Sequence, residues 1–136
     1  MNYWLLKSEP SAYSWGNMEH DNTTRWDGVR NYQARNNMMA MKKGDLCFFY
    51  HSRITEPAIV GIVEVCETYT PDAHDPTFGA VSVRYKKPLT KPVTLARIKA
   101  TPALFTLALI KQSRLSVMPV SSEQWSILLH MGNTEL

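Results

Sequence analysis

The chain has 136 residues, of which 44% are hydrophobic and 20% are charged, and its formal net charge is +3. Such values are typical of one globular domain that buries its own core, so we expect a single domain over residues 1–136. No apolar run approaches the roughly 20 residues that a membrane span needs, and no basic leader precedes an apolar stretch at the N-terminus. We therefore expect a cytoplasmic protein without a membrane partner.

The N-terminal half predicts one strand and one helix. Residues 3–7 form the expected strand, which Pro10 helps to end because proline has no N–H for the ladder. Residues 11–24 are polar and are expected to be irregular, apart from a short helical turn. A helix is predicted over residues 31–41, since Ala34, Met38 and Met41 fall on one inward face, and Gly44 is its expected stop.

The middle of the chain predicts three further strands, over residues 46–51, 58–67 and 81–86. The second is apolar almost throughout, which is typical of a strand that is covered on both faces. The third alternates apolar and polar side chains, as a half-exposed strand does. The segment that contains Pro88 and Pro92 is predicted to be a connection.

Two helix starts are predicted after this connection. Thr94 is the expected N-cap of a short helix through Ile98. Ser121 and Gln124 form a capping box before the last helix, where Trp125 belongs to an apolar stripe. Four or five short strands with small helices between them predict an α+β fold built on a compact, twisted barrel.

The cysteines and histidines provide no metal-ligand pattern. Cys47 and Cys66 lie in strand-like runs without the C-x-x-C spacing, so we expect two buried, reduced thiols. The four histidines are scattered along the chain. We predict no metal and no cofactor.

Residues 26–36 place a tryptophan beside a glycine and then alternate cations and amides. This mixture favours a pocket that stacks on a flat ring and hydrogen-bonds its edge. The alternative role for each tryptophan is core packing. The apolar stripe around Trp125 supports this role, whereas the polar neighbours of Trp26 support it less. The candidate walls are Trp4, Trp26, Tyr32 and Tyr50, and the candidate edge-reading side chains are Ser8, Asn31, His51 and Ser52.

Cations near these residues are candidates for phosphate contacts. Arg30 and Arg35 could bind a phosphate, or Asp27 or Glu9 within the fold. The other candidate phosphate ligands are Lys7, Lys111 and Arg114.

The basic side chains are also unevenly distributed, with eight of them and no acid over residues 76–122. This asymmetry fits either an ordinary solvated surface or a positive face for a polyanion. Gly28 is expected either to adopt a positive φ, to allow close approach of a ligand, or to form a plain turn.

Direct signs of catalysis are sparse. No G-x-S-x-G, H-E-x-x-H or phosphate-loop motif occurs. An enzyme would have to use Lys7 and Glu9 as its base and acid, and adjacent strand residues enter one pocket only if the chain turns there.

The chain resembles the EVE-domain family along nearly its whole length. The matching elements are residues 3–10 (YWLLKSEP), 26–36 (WDGVRNYQARN), 44–45 (GD), 49–52 (FYHS), 59–62 (IVGI), Tyr69 with 71–72 (PD), 114–117 (RLSV) and 119–120 (PV). The resemblance implies a PUA-like fold, a small pseudo-β-barrel of about five or six strands with short surrounding helices, related to YTH and ASCH domains.

The resemblance also implies binding of a modified base, such as methylated cytosine, in an aromatic pocket. Ser8 and Pro10 would lie at the pocket mouth, Trp26, Asn31 and Tyr32 in its wall, and His51 and Ser52 on the strand beside it. Phe78 lies where the family pattern leads us to expect a bulkier aromatic side chain.

We therefore predict a non-enzymatic reader of a modified nucleobase, with DNA as a more probable partner than RNA. RNA or modified RNA is the first alternative. The rival from another class is a small ASCH-like amidohydrolase that acts on modified nucleosides. A third alternative is a stress or toxin–antitoxin accessory protein that binds a free nucleotide.

Overall fold

Six strands form one mixed sheet in the computed structural model, which describes all of residues 1–136. The strands are β1 (Tyr3–Ser8), β2 (Thr23–Arg25), β3 (Leu46–His51), β4 (Ala58–Pro71), β5 (Gly79–Thr94) and β6 (Val117–Val120). Their order is β2-β5-β4-β3-β1-β6. Only β1 and β3 run parallel, and the end strands β2 and β6 do not pair with each other, so the barrel does not close. The predicted α+β fold is confirmed.

Five helices surround the sheet. They are α1 (Trp15–Asp21), α2 (Tyr32–Ala40), α3 (Leu95–Lys99), α4 (Ala108–Lys111) and α5 (Ser122–Met131), with a 3-10 turn at Pro102–Leu104. The predicted N-caps of α3 and α5 are confirmed, because Thr94 and Ser121 each accept a hydrogen bond from the third backbone N–H of their helix. No helix is long and apolar enough to cross a membrane.

The core lies between the sheet and these helices. Trp125 is buried, as predicted, and its ring stacks on Phe48 with centroids 3.9 Å apart. Ala34, Met38 and Met41 are also buried, which confirms the inward face of α2. Both cysteines are free thiols, but only Cys47 is fully buried, whereas Cys66 is half-exposed.

Proline did not end the fifth strand, so the predicted connection at residues 88–92 is wrong. β5 continues through Pro88 and Pro92 to Thr94. Ile59 pairs with Val93 and Gly61 pairs with Pro88, so two steps along β4 face five steps along β5. A bulge of this kind interrupts the hydrogen-bond ladder, so the strand can contain prolines, which have no N–H to donate.

Two other expectations need correction. Residues 11–24, predicted to be irregular apart from a short helical turn, contain both α1 and β2. The predicted helix over residues 31–41 is confirmed, with Asn31 and Met41 as the caps of α2, but Gly44 lies beyond the C-cap and does not end the helix. The buried carboxylate of Asp45 accepts hydrogen bonds from the Lys42 backbone N–H and from the Trp4 indole, both at 3.0 Å, and these contacts fix the turn that follows the helix.

Candidate functional site

A cavity of about 490 Å³ opens where the chain leaves β1 and β2. Its volume lies in the range of small-ligand sites, about 300–1,000 Å³. The first strand and its following turn contribute Lys7, Ser8, Glu9, Ala12 and Tyr13, and β2 with the segment after it contributes residues 24–31, with Ser116 beside them. The cavity therefore brings together two of the motifs that the sequence singles out.

Hydrogen bonds shape the turn after β1. The Ser8 hydroxyl donates to the Tyr13 carbonyl, and the N–H groups of Ala12 and Tyr13 both donate to the Glu9 carbonyl at 2.9 Å. Because the chain turns here, Lys7, Ser8 and Glu9 all reach the same cavity.

Gly28 and Asn31 shape the opposite wall. Gly28 has a φ of +79°, and nothing lies within 4 Å of the place where a Cβ would stand, so the turn conformation requires glycine. Asn31 is the N-cap of α2, and its Oδ1 accepts from the Ala34 N–H at 2.9 Å. Its Nδ2 makes no hydrogen bond within the protein and is available to a ligand.

Trp26 belongs both to the core and to the cavity wall. Its side chain is 8% exposed and packs edge-on against Phe49 and Tyr13, with centroid distances of 5.5 and 6.3 Å. The backbone N–H of Trp26 donates to Val81 on β5 at 2.8 Å, which anchors the segment to the sheet. Trp26 therefore packs in the core and also lines the cavity, and its contact with a base stays a prediction.

The predicted pocket residues divide into three groups. Ser8, Trp26 and Asn31 line the cavity. Tyr50 and Ser52 line a second, adjoining cleft. Pro10, Tyr32, His51 and Trp4 line neither.

His51 instead supports α1. Its Nε2 accepts a hydrogen bond from the Trp15 N–H at 3.0 Å, so the ring is neutral with its proton on Nδ1. Partial burial lowers the pKa of His51 below its usual value. The Trp15 ring lies directly over Gly61, where any Cβ would clash with it.

Tyr32 lies outside the cavity in an exposed stack. Its ring stacks on Phe78 with centroids 5.4 Å apart, the Arg35 guanidinium lies over the Tyr32 ring at 4.9 Å, and the Arg30 guanidinium lies over the Phe78 ring at 5.2 Å. Arg35 also donates to the Thr77 carbonyl at 2.8 Å. This stack attaches the loop before β5 to the start of α2.

The predicted phosphate ligands are likewise dispersed. Arg30 lines the cavity and approaches Asp72 at 3.6 Å, so neither it nor Arg35 pairs with Asp27 or Glu9. Lys111 lies in a separate depression, whose rim Arg114 shares with the second cleft. Lys7 borders both larger cavities, and burial lowers the pKa of its ammonium group.

The second cleft, of about 720 Å³, adjoins the first and shares Lys7, Glu9 and Ser116 with it. We call it the basic cleft. Its charged lining consists of Lys7, Arg53, Lys99 and Arg114 with one carboxylate, Glu9.

Several cavity residues were not predicted. Tyr13, Thr24 and Arg25 all line the first cavity. Arg25 forms an ion pair with Asp72 at 3.0 Å. Tyr13 lies just before α1, in the polar stretch for which the sequence predicts no more than a short helical turn, and the Ser14–Asn17 capping box was the available signal for the full helix.

The catalytic pair that an enzyme would need is not assembled. The Lys7 ammonium donates to the Ser113 carbonyl at 2.8 Å, and the Glu9 carboxylate pairs with Arg53 at 2.9 Å. No group of three or more His, Cys, Asp or Glu side chains is placed to hold a metal ion.

The model of the EVE domain matches residues 2–131. The chain belongs to the EVE-domain family. It is similar to thymocyte nuclear protein 1 of Mus musculus, with 32% identity over 169 residues, 98% of this chain and 75% of the relative. Among solved structures, a protein from Agrobacterium tumefaciens is 44% identical with a TM-score of 0.93, over 98% of this chain and 94% of that one.

A structure of human THYN1 protein in complex with 5-methylcytosine-containing DNA has a TM-score of 0.93 at 29% identity and covers both chains fully. The Mmi1 YTH domain has a TM-score of 0.61 at 12% identity, over 97% of this EVE domain and 88% of the YTH chain. The second likeness concerns the fold alone, and the predicted relation to YTH and ASCH domains stays a prediction.

Proposed function

We propose that this EVE domain is a non-enzymatic reader of a modified nucleobase, most specifically a modified cytosine in DNA. The observation that carries the proposal is the cavity in which the Trp26 ring adjoins unsatisfied polar side chains. The human relative that was solved with 5-methylcytosine-containing DNA supports the same choice of ligand.

The polar groups of the cavity complement the edge of cytosine. The Ser8 hydroxyl donates to Tyr13, so its lone pairs remain free to accept from the exocyclic amino group. The free Nδ2 of Asn31 donates to the ring nitrogen or carbonyl oxygen. Trp26 provides the aromatic contact, which is worth about 1–3 kcal/mol for a stacked base.

A duplex base must leave its stack before it enters such a cavity. Unstacking and unpairing cost a few kcal/mol, which the cavity contacts offset. One methyl-sized group changes binding by only about 1–3 kcal/mol. The domain therefore prefers the modified base and does not reject the unmodified one absolutely.

Isothermal titration calorimetry with matched oligonucleotides tests the proposal. The strands carry cytosine, 5-methylcytosine, 5-hydroxymethylcytosine or N6-methyladenine at one position, and an RNA version of the preferred strand separates the two nucleic acids. We expect the modified cytosines to bind several-fold more tightly. Equal affinity for all strands would refute the proposal.

A variant of Asn31 separates base recognition from folding. Asn31→Ser keeps a good N-cap for α2 but removes the Nδ2 donor. We expect unchanged thermal stability and weaker binding of the modified strand. Wild-type affinity in this variant would remove Asn31 from the recognition site.

A further inference from the structure

The basic cleft contains a tyrosine hydroxyl that makes no hydrogen bond within the protein. Tyr50 is only 3% exposed, yet its phenolic oxygen makes no hydrogen bond within the protein. The oxygen is not sealed off from solvent, because the structure has no buried side-chain polar atom without a partner. The Tyr50 ring is buried while its hydroxyl reaches the cleft without a protein partner, so the hydroxyl is placed to donate to a ligand there.

Strand geometry places Lys7 beside this hydroxyl. Lys7 and Tyr50 are register partners in the parallel pair β1–β3, so their side chains leave the sheet on the same side. Phe49, which precedes Tyr50, contacts Trp26 on the other side. The cavity and the cleft therefore lie on opposite sides of the end of β1, and Lys7 borders both.

The charge of the cleft is positive and largely uncompensated. Its four cations face one carboxylate, Glu9, which is already paired with Arg53. Lys99 and Arg114 are exposed and have no hydrogen-bond or ion-pair partner in the protein. Two free cations and a free hydroxyl donor suit a monoanion with several acceptor oxygens.

We propose that the basic cleft binds a backbone phosphate of the same nucleic-acid strand whose base occupies the cavity. The proposal rests on the proposed function, because the shared border at Lys7 and Ser116 places the cleft one short step along the strand from the base. Tyr50 and Lys99 donate to the phosphate from the cleft wall, and Arg114 donates from its rim. Burial raises the pKa of Tyr50 to about 12, which keeps the hydroxyl protonated as a donor.

Three substitutions test this assignment against a matched control. Tyr50→Phe removes one oxygen that makes no hydrogen bond within the protein, so the fold remains intact. Lys99→Gln and Arg114→Gln each remove one cation. Lys86→Gln is the control, because Lys86 is exposed on β5 and lines neither cavity, yet it carries the same charge.

Each variant is titrated with 5-methyldeoxycytidine, its 5′-monophosphate, and single-stranded oligonucleotides with and without 5-methylcytosine, at several salt concentrations. We expect Tyr50→Phe to weaken oligonucleotide binding about tenfold without changing the salt slope, since a hydrogen bond to a charged acceptor is lost and no charge changes. Lys99→Gln and Arg114→Gln should each lower the slope by about 0.7, the contribution of one single-strand phosphate. Nucleoside affinity should not change.

The arms of the experiment separate the outcomes. If the variants already lose affinity for the 5′-monophosphate, the cleft holds the phosphate of the bound nucleotide itself. If they lose affinity only for the oligonucleotide, the cleft holds the phosphate of a neighbouring nucleotide. If all three variants bind oligonucleotide like Lys86→Gln, the assignment of the cleft is overturned. Equal wild-type affinity for modified and unmodified strands, with the losses retained, refutes base reading but not the phosphate site.

Discussion

Truncation of Trp26 tests whether one side chain serves both the core and the ligand. The ring is 8% exposed and makes two edge-on aromatic contacts, with Phe49 and Tyr13. Replacement of a buried tryptophan by alanine costs about 3–5 kcal/mol of folding free energy. A domain of this size has about 5–15 kcal/mol in total, so Trp26→Ala should remain folded at low temperature. Its melting temperature should fall by roughly 10–20 °C.

The binding effect of the same substitution is smaller than its folding effect. Loss of base stacking reduces the binding free energy by about 1–3 kcal/mol, which corresponds to a dissociation constant roughly 5- to 150-fold larger. Calorimetry at 10 °C, where the variant is folded, measures this term without relying on tryptophan fluorescence. Circular dichroism melts measure the stability term in parallel.

Trp125→Ala provides the matched control. Trp125 is 3% exposed and stacks on Phe48, but it does not line the cavity. It should therefore lose comparable stability and keep its affinity for the modified strand at low temperature. The reasoning fails if both variants lose affinity equally, or if Trp26→Ala binds as tightly as the wild type.

Three further variants test the surroundings of the cavity. His51→Gln keeps an acceptor for the Trp15 N–H but cannot titrate. Because the folded pKa of His51 lies below 6.5, the stability of the wild type should fall as the pH drops below 6.5. The melting temperature of the variant should not show this fall with pH. Gly61→Ala should lower the melting temperature, since its Cβ would lie 2.2 Å from the Trp15 ring, and a cost that persists in a Trp15→Ala background would contradict this cause. Tyr32→Ala should speed amide exchange in the loop that holds Phe78 while leaving nucleoside affinity unchanged, because Tyr32 lies outside the cavity; loss of nucleoside binding would restore it to the pocket wall.

Local chemistry explains which parts of the fold the sequence predicts correctly. The caps at Thr94 and Ser121 and the inward face of α2 depend on residues within one helix turn, and all are confirmed. The bulge in β5 depends on a partner strand, so the prolines at 88 and 92 predicted the wrong structure. Long-range pairing has no signature within the segment itself.

The same distinction applies to the site. Successive side chains of β3 point to opposite faces of the sheet, so Phe49 and Tyr50 lie on different sides of it. A motif that lists consecutive residues does not show this difference. Phe49 supports Trp26, Tyr50 turns to the basic cleft, and His51 returns to the side of Phe49, where it holds α1. Residue type predicted the kind of ligand, whereas strand geometry decides which of two cavities each side chain reaches.

The two cavities together predict how affinity and preference depend on salt. A methyl group is worth about 1–3 kcal/mol, and base flipping costs a few kcal/mol, so the cavity alone yields modest net affinity. Backbone contacts in the basic cleft supply the remainder, and they weaken as salt rises because each counterion released into a more concentrated solution gains less entropy. Contacts to the methyl group involve no charge. The dissociation constants of modified and unmodified strands should therefore rise together with salt while their ratio stays constant. A ratio that collapses at high salt would mean that the preference arises from the backbone, and the cavity would then not be the site of discrimination.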